Sequence, residues 1–212
     1  MEVSRTTRRV HIAVAVFVAT ALGLRLLLTI FWPSADLDPH LLVRLERFIS
    51  YFTIQSNIAA LLASLAVVRG RPLDTAVGRA LRLAALVGMT VTCIVYIVVL
   101  SGDSTNTGMD QVTNLMLHYF GPPIFVLAWV FFGPFLSLGW SDIPRALIWP
   151  LLWIVYTLVH GAITGWYPYP FIDVTAKGYA DVFVSIGFIT LFALLLSAAF
   201  VGVARLRERD PA

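Results

Sequence analysis

The chain has 212 residues, of which 59% are apolar and only 13% charged, and its net charge is +3. Soluble domains carry about 25% charged residues, so a chain with a mean hydropathy of +0.85 has too little polar surface to cover itself in water. A soluble globular protein and a disordered chain are excluded, and a single cysteine, Cys93, excludes a disulfide scaffold.

What remains is an all-α polytopic membrane protein. A bilayer-crossing helix needs about 20 apolar residues, and six segments supply them, at 10–32, 48–68, 80–100, 112–132, 146–164 and 180–204. The first has the outline of a signal peptide, with Arg5, Arg8 and Arg9 before it and Ala19-Thr20-Ala21 within it. Its apolar run continues to Trp32, past the length of a cleaved segment, so it is expected to stay as a span. It carries Arg25, about 10 Å inside its outer end at 1.5 Å per residue. A loop with Asp36, Asp38, His40, Arg44 and Arg47 follows.

The second span places Ser50, Thr53 and Asn57 at i, i+3 and i+7, on one helical face. The third has Arg82 within a turn of its inner end, where a long side chain snorkels to the surface, and Tyr96 near its outer end. In the fourth, Gln111, Asn114 and His118 repeat the i, i+3, i+7 spacing. Gly121-Pro122-Pro123 follows, and the two prolines cannot donate to the carbonyls of His118 and Tyr119, so a kink is expected beside the histidine. The fifth span bears His160 about 6 Å from its outer end, near Tyr156, Thr157 and Thr164. Between the fifth and sixth lies Thr164-Gly165-Trp166-Tyr167-Pro168-Tyr169-Pro170-Phe171-Ile172-Asp173. Trp and Tyr favour the membrane interface, and Trp166 and Tyr169 are candidates for a lid over an outer pocket.

Lys and Arg set the orientation. One side carries Arg5, Arg8, Arg9, Arg69, Arg71, Arg79, Arg145, Arg205, Arg207 and Arg209, and the other Arg44, Arg47 and Lys177. Both termini are therefore expected in the cytoplasm, in a six-helix, multi-pass protein of the cell membrane that forms a single domain over 1–212. The basic residues are sorted by side rather than pooled into a patch, which excludes nucleic acid as a partner. No internal repeat marks two transporter halves, and no alternation marks a barrel.

Ionisable and polar groups inside spans are functional candidates. Thr53 and His118 both lie about 8–10 Å below the outer boundary and can meet if their helices are neighbours. With Arg25, Tyr96 and His160 they put polar side chains from five of six helices into one layer of the outer half. Such one-sided polarity suits a pocket rather than a through-pore.

The segments Tyr51-Phe52-Thr53-Ile54-Gln55-Ser56-Asn57, His118-Tyr119-Phe120-Gly121-Pro122-Pro123 and Trp166-Tyr167-Pro168-Tyr169-Pro170-Phe171-Ile172-Asp173 resemble a bacterial family of six-span integral membrane proteins. More distantly, the chain is similar to the androgen-induced and androgen-dependent TFPI-regulating proteins. These are six-helix intramembrane hydrolases of fatty acid esters of hydroxy fatty acids that use a Thr nucleophile and a His. The resemblance puts the family Thr at Thr53 and the family His at His118. It matches the later His, Thr-Gly and Tyr-Pro-Phe to His160, Thr164-Gly165 and Tyr169-Pro170-Phe171. This chain departs in having Gln55-Ser56-Asn57 where the eukaryotic proteins carry an acidic residue.

The resemblance implies a Thr–His hydrolase of a lipid or fatty acyl ester, without cofactor. A Thr hydroxyl needs a base to take its proton, and neutral His is the usual one. No carboxylate within a span is available to orient His118, which leaves Asn114 or Tyr96 as stand-ins. Asn57, Asn114 or backbone freed at the proline kink are candidate oxyanion donors. Arg25 is expected to grip a substrate carboxylate or to pair with Asp36 or Asp38. Substrate contacts are expected from Arg25, Asn57, Asn114, Tyr96, His160, Trp166 and Tyr169. A non-catalytic lipid-binding or transport protein with the same pocket is the alternative. A metal site is not expected, since His118 and His160 lack a clustered carboxylate or Cys partner.

Overall fold

The computed structural model describes residues 3–32, 38–70, 74–103, 106–134 and 138–209. Helical hydrogen bonding carries most of the long helices several residues past their apolar runs. The described residues form α1 (Arg5–Phe31), α2 (Leu41–Ser50), α3 (Phe52–Val68), α4 (Ala76–Val95), α5 (Gly108–Asn114), α6 (Gly121–Phe132), α7 (Asp142–Thr164) and α8 (Val174–Arg209), with no strand among them. Five continuous helical stretches are long and apolar enough to cross a membrane, and the number is six if α2 and α3, bent by 67° at Tyr51, count as one span.

The second expected span therefore changes. The segment 48–68 is broken at Tyr51: Ser50, expected in the span, ends α2, most of which reads from sequence as a loop, and α3 begins at Phe52. Leu41, Leu45 and Phe48 repeat at helical spacing, so α2 is amphipathic; Arg44, Glu46 and Arg47 interrupt any apolar run and hide it. Arg44 fixes α2 to the end of α1. Its guanidinium donates to the carbonyls of Thr29 (2.9 Å), Ile30 (3.2 Å), Asp38 (3.1 Å) and Pro39 (2.9 Å), satisfying acceptors that a helix C-terminus leaves free.

α4 is the central helix, with Leu83, Ala85, Leu86 and Met89 wholly buried, and it packs on α3, α6, α7 and α8. Gly88 of α4 lies against Ser56 of α3, where an added Cβ would stand 2.9 Å from Ser56 Oγ; small residues let backbones approach where lipid supplies no hydrophobic drive. Large apolar side chains such as Val16, Leu27, Ile163 and Phe188 point outward, a surface suited to acyl chains and unsuited to water.

Two stretches wind as π-helix, Tyr96–Leu100 after α4 and Leu115–Phe120 between α5 and α6. The kink expected at Gly121-Pro122-Pro123 thus takes the form of a wide turn just before the prolines. In α8 the backbone leaves the helix at Gly178, at φ 78° and ψ 160°. Only glycine adopts that conformation without strain, so the long apolar part of α8 starts at the residue after the break.

Both chain ends meet the same end of the bundle. Thr7 Oγ1 donates to the Phe132 carbonyl at 2.7 Å, and Arg207 bonds the carbonyl of Val130. His11 Nε2 donates to the Gly133 carbonyl at 2.6 Å, and Arg82 to that of Pro134 at 3.0 Å. Arg82 is only 2% exposed, so it does not snorkel to solvent as the sequence suggests; it holds the connection after α6. Arg79 and Arg145 bind the buried Asp142 at 2.9 and 3.3 Å.

Candidate active site

Thr53 and His118 stand at the opposite end of the bundle. Thr53 lies in the first turn of α3, just after the break at Tyr51, and is 5% exposed. His118 sits in the π turn between α5 and α6. Their side chains meet: Thr53 Oγ1 is 3.1 Å from His118 Nε2. His118 Nδ1 is 3.1 Å from the Asn114 carbonyl, which can only accept. The proton therefore belongs on Nδ1, and Nε2 is left as an acceptor for the threonine hydroxyl. The group that orients His118 is the backbone of Asn114, in place of a carboxylate. The Asn114 side chain donates instead to the Tyr96 hydroxyl at 2.6 Å, and the Tyr96 ring packs on the imidazole with centroids 4.0 Å apart.

Tyr169 completes the cluster from the loop between α7 and α8. Its hydroxyl accepts the Thr53 N–H at 3.1 Å and lies 3.2 Å from Thr53 Oγ1. Burial pushes its pKa up to about 12, so the phenol keeps its proton in any ordinary medium. Tyr51 and Phe171 hold its ring, the first edge-on at 5.7 Å and the second stacked at 5.3 Å.

The cluster opens into an apolar cavity with about 1000 Å³ of atom-free space, its mouth included. One stripe of α4, from Ala84 through Gly88 and Thr92 to Tyr96 and on to Leu100, forms a wall, and residues of α7 and α8 such as Leu151, Ile154, Ile186 and Ile189 form the others. Along α4, from Ala84 to Val95, the lining spans about 16 Å, more than half of a hydrocarbon core about 30 Å thick.

Of the expected substrate contacts, Tyr96 and Tyr169 line this cavity; Arg25, Asn57, Asn114, His160 and Trp166 do not. Arg25 pairs with Asp110 at 2.5 Å, a partner 85 residues away that replaces the expected Asp38; Asp36 lies outside the described residues. Asn57 is wholly buried between helices, where its amide donates to the carbonyls of Thr53 (2.9 Å) and Leu117 (3.4 Å). It braces the turn carrying His118. Gln55 in the departing segment accepts from Trp149 Nε1 at 2.8 Å.

His160 belongs to a second cluster, whose centre the sequence reading misses. Glu46 Oε1 lies 2.9 Å from His160 Nε2 and accepts from Ser50 Oγ at 2.9 Å and Tyr156 Oη at 3.0 Å. Trp166 covers it, edge-on to His160 at 5.9 Å and under the Arg47 guanidinium at 5.2 Å. Glu46 falls in the segment read as loop; the helical spacing of Leu41, Leu45 and Phe48 is the signal that finds it. Among the described residues no three metal-ligating side chains come together.

Comparison with protein families, with curated proteins and with solved structures gives no match for this chain.

Proposed function

We propose that the chain is an intramembrane hydrolase of a lipid ester, of the fatty acid ester of hydroxy fatty acid type, with Thr53 as nucleophile and His118 as its base. The observation that carries this reading is the 3.1 Å contact of Thr53 Oγ1 with the acceptor nitrogen of His118, at the head of a long apolar cavity. The likeness of the surrounding segments to the intramembrane threonine hydrolases supports it as well.

In this mechanism the acyl chain occupies the cavity and its ester carbonyl lies beside Thr53. Thr53 Oγ1 bonds to the carbonyl carbon while its proton passes to His118 Nε2. The protonated Tyr169 hydroxyl donates to the developing oxyanion. The C–O bond to the alcohol then breaks, and the alcohol leaves with the proton held by His118. Water, deprotonated by His118, releases the acid and restores Thr53.

The experiment is covalent labelling of purified protein with a fluorophosphonate probe, mapped by mass spectrometry. Label is expected on Thr53 and lost in Thr53→Ala and His118→Gln; label that persists elsewhere in Thr53→Ala removes Thr53 as nucleophile. We further propose that the arginine-rich end faces the cytoplasm and the site faces outside, in the cell membrane, as the excess of Arg on one side favours. In a Cys93→Ser background, an impermeant thiol reagent applied to intact cells is expected to reach a cysteine placed at 106 and not one at 74.

A further inference from the structure

The cavity changes character along its length. Most of its lining is bulky, with Val91 and Val95 on α4, Trp153 and Ile154 on α7, and Ile186 and Ile189 on α8. Toward the arginine-rich end, each of these three helices gives the cavity an alanine as its last lining residue among those described: Ala84, Ala146 and Ala193. α4 and α7 start at that end, where Arg79 pairs with Asp142, and α8 finishes there, where Arg207 bonds the Val130 carbonyl. The three alanines belong to one buried apolar cluster. One turn further on, Asp142 on α7 and Ser197 on α8 are wholly buried, and neither borders the cavity.

Small residues in a membrane bundle often serve helix contact. Gly88 is such a case, since a Cβ there would meet Ser56 Oγ at 2.9 Å and the Trp149 ring at 3.2 Å. Ala84 and Ala193 differ. They are 8% and 7% exposed and line the cavity, whereas Ala146, at 2%, offers it almost no surface. Ala84 lies about 16 Å along α4 from Val95, and the residue after Val95 is Tyr96, which packs on His118. An acyl chain with its carbonyl at Thr53 therefore brings its far end to Ala84. An extended chain of bonds about 1.5 Å long gains about 1.25 Å per carbon, so about 13 carbons span that length.

We infer that Ala84 on α4 and Ala193 on α8 are the stop for the far end of the acyl chain, and that the protein selects chains of about 13 carbons or fewer beyond the carbonyl. This rests on the lipid-ester reading for what occupies the cavity, and it adds which chains fit and which two residues set the limit.

The test uses ligands that cannot be turned over, so that hydrolysis plays no part. Saturated methyl ketones of increasing chain length, which present a carbonyl but no ester bond, compete with a fluorescent alkyl ketone for the purified full chain in one detergent, each counted as a mole fraction of the micelle. Detergent tails are as apolar as the cavity wall, so added carbons are expected to change affinity little up to the limit. Beyond it, about two or three more carbons cost about tenfold, the scale of overpacking. Ala84→Leu and Ala193→Leu each lower the limit by about two or three carbons, the added reach of leucine, and bind shorter ketones as wild type does. Ala84→Val and Ala193→Val, with a smaller addition, replace a leucine variant that does not fold. Ala204→Leu, buried on α8 away from the cavity, leaves the limit in place. Absence of a limit in wild type overturns the inference, as does a limit that neither position moves, one that Ala204→Leu moves as well, or failure to bind any ketone. A protein that shows the limit yet carries no label on Thr53 keeps the stop and loses the hydrolase mechanism; label on Thr53 without a limit removes the stop alone.

Discussion

The Asn114 side-chain amide donates to the Tyr96 hydroxyl at 2.6 Å, tying together the two π turns that flank the imidazole. Through its carbonyl the same residue sets the tautomer of His118. π turns inside helices recur at functional sites, and here they aim Tyr96 and His118 at one point. Asn114→Ala leaves the carbonyl but frees Tyr96. It is expected to lower kcat about tenfold, because Tyr96 packs on the proposed base, and to raise KM as well, because Tyr96 also lines the cavity; steady-state kinetics on a lipid ester measure both.

Tyr169→Phe keeps the stack on Phe171 and removes the hydroxyl beside Thr53. Loss of one oxyanion donor costs about 10²–10³-fold in kcat, and that fall with KM unchanged is the expected result. The pH dependence is also fixed in sign. With its pKa raised to about 12 by burial, the phenol remains protonated through the range where ordinary tyrosines ionise near 10. The tyrosinate absorbance of wild type and Tyr169→Phe is therefore expected to coincide at pH 10 and to separate only as pH approaches 12. A difference already present at pH 10 would contradict this placement.

Gly161 holds the loop that carries Tyr169. A Cβ there would come within 2.0 Å of the Tyr167 ring, so the ring lies directly on the α7 backbone. Gly161→Ala is expected to expel Tyr167, displace Tyr169 two residues on, and cost about 1–3 kcal/mol in stability, the usual penalty of overpacking. Activity falls with it. Gly187→Ala is the control, since nothing lies within 4 Å of its Cβ position, and it should leave both thermal stability and turnover near wild type.

Glu46 is the fastening between α2 and α7, accepting from Ser50 and Tyr156 and lying 2.9 Å from His160 Nε2. Removing its carboxylate takes the acceptor from Tyr156 and leaves Ser50 with the backbone carbonyl of residue 46, which loosens the tie between the two helices. Glu46→Ala is expected to speed amide hydrogen exchange across 41–50 about tenfold, with α4 unchanged. Equal acceleration in both helices would show a general loss of stability instead.

That Thr53 and His118 can meet was legible in the sequence, because helical period and rise place both near the same end of their spans. The partners of Arg25 and His160 were not. Asp110 and Glu46 lie 85 and more than 110 residues away, and no local pattern reports a pairing at that range. The break at Tyr51 has no proline or glycine to announce it; what bends the chain there is packing. Trp153 Nε1 takes the Ser50 carbonyl at 2.8 Å, and Tyr169 takes the Thr53 N–H. Asn57 stands on the Thr53 stripe, and its amide serves the joint between α3 and the His118 turn, a bond that the spacing alone does not report.

That break also changes the electrostatics around the Thr53 hydroxyl. Had α2 run straight into α3, the Thr53 N–H would be consumed by a carbonyl four residues earlier, and no helix would begin there. Because the chain turns by 67° at Tyr51, Thr53 occupies the positive end of a 17-residue helix, where aligned peptide dipoles amount to about half an elementary charge. In the low dielectric of the bundle such a field is weakly screened. Negative charge passing through the Thr53 oxygen would thus meet a counter-field built into the backbone, in a region where, among the described residues, no Lys or Arg bonds the hydroxyl.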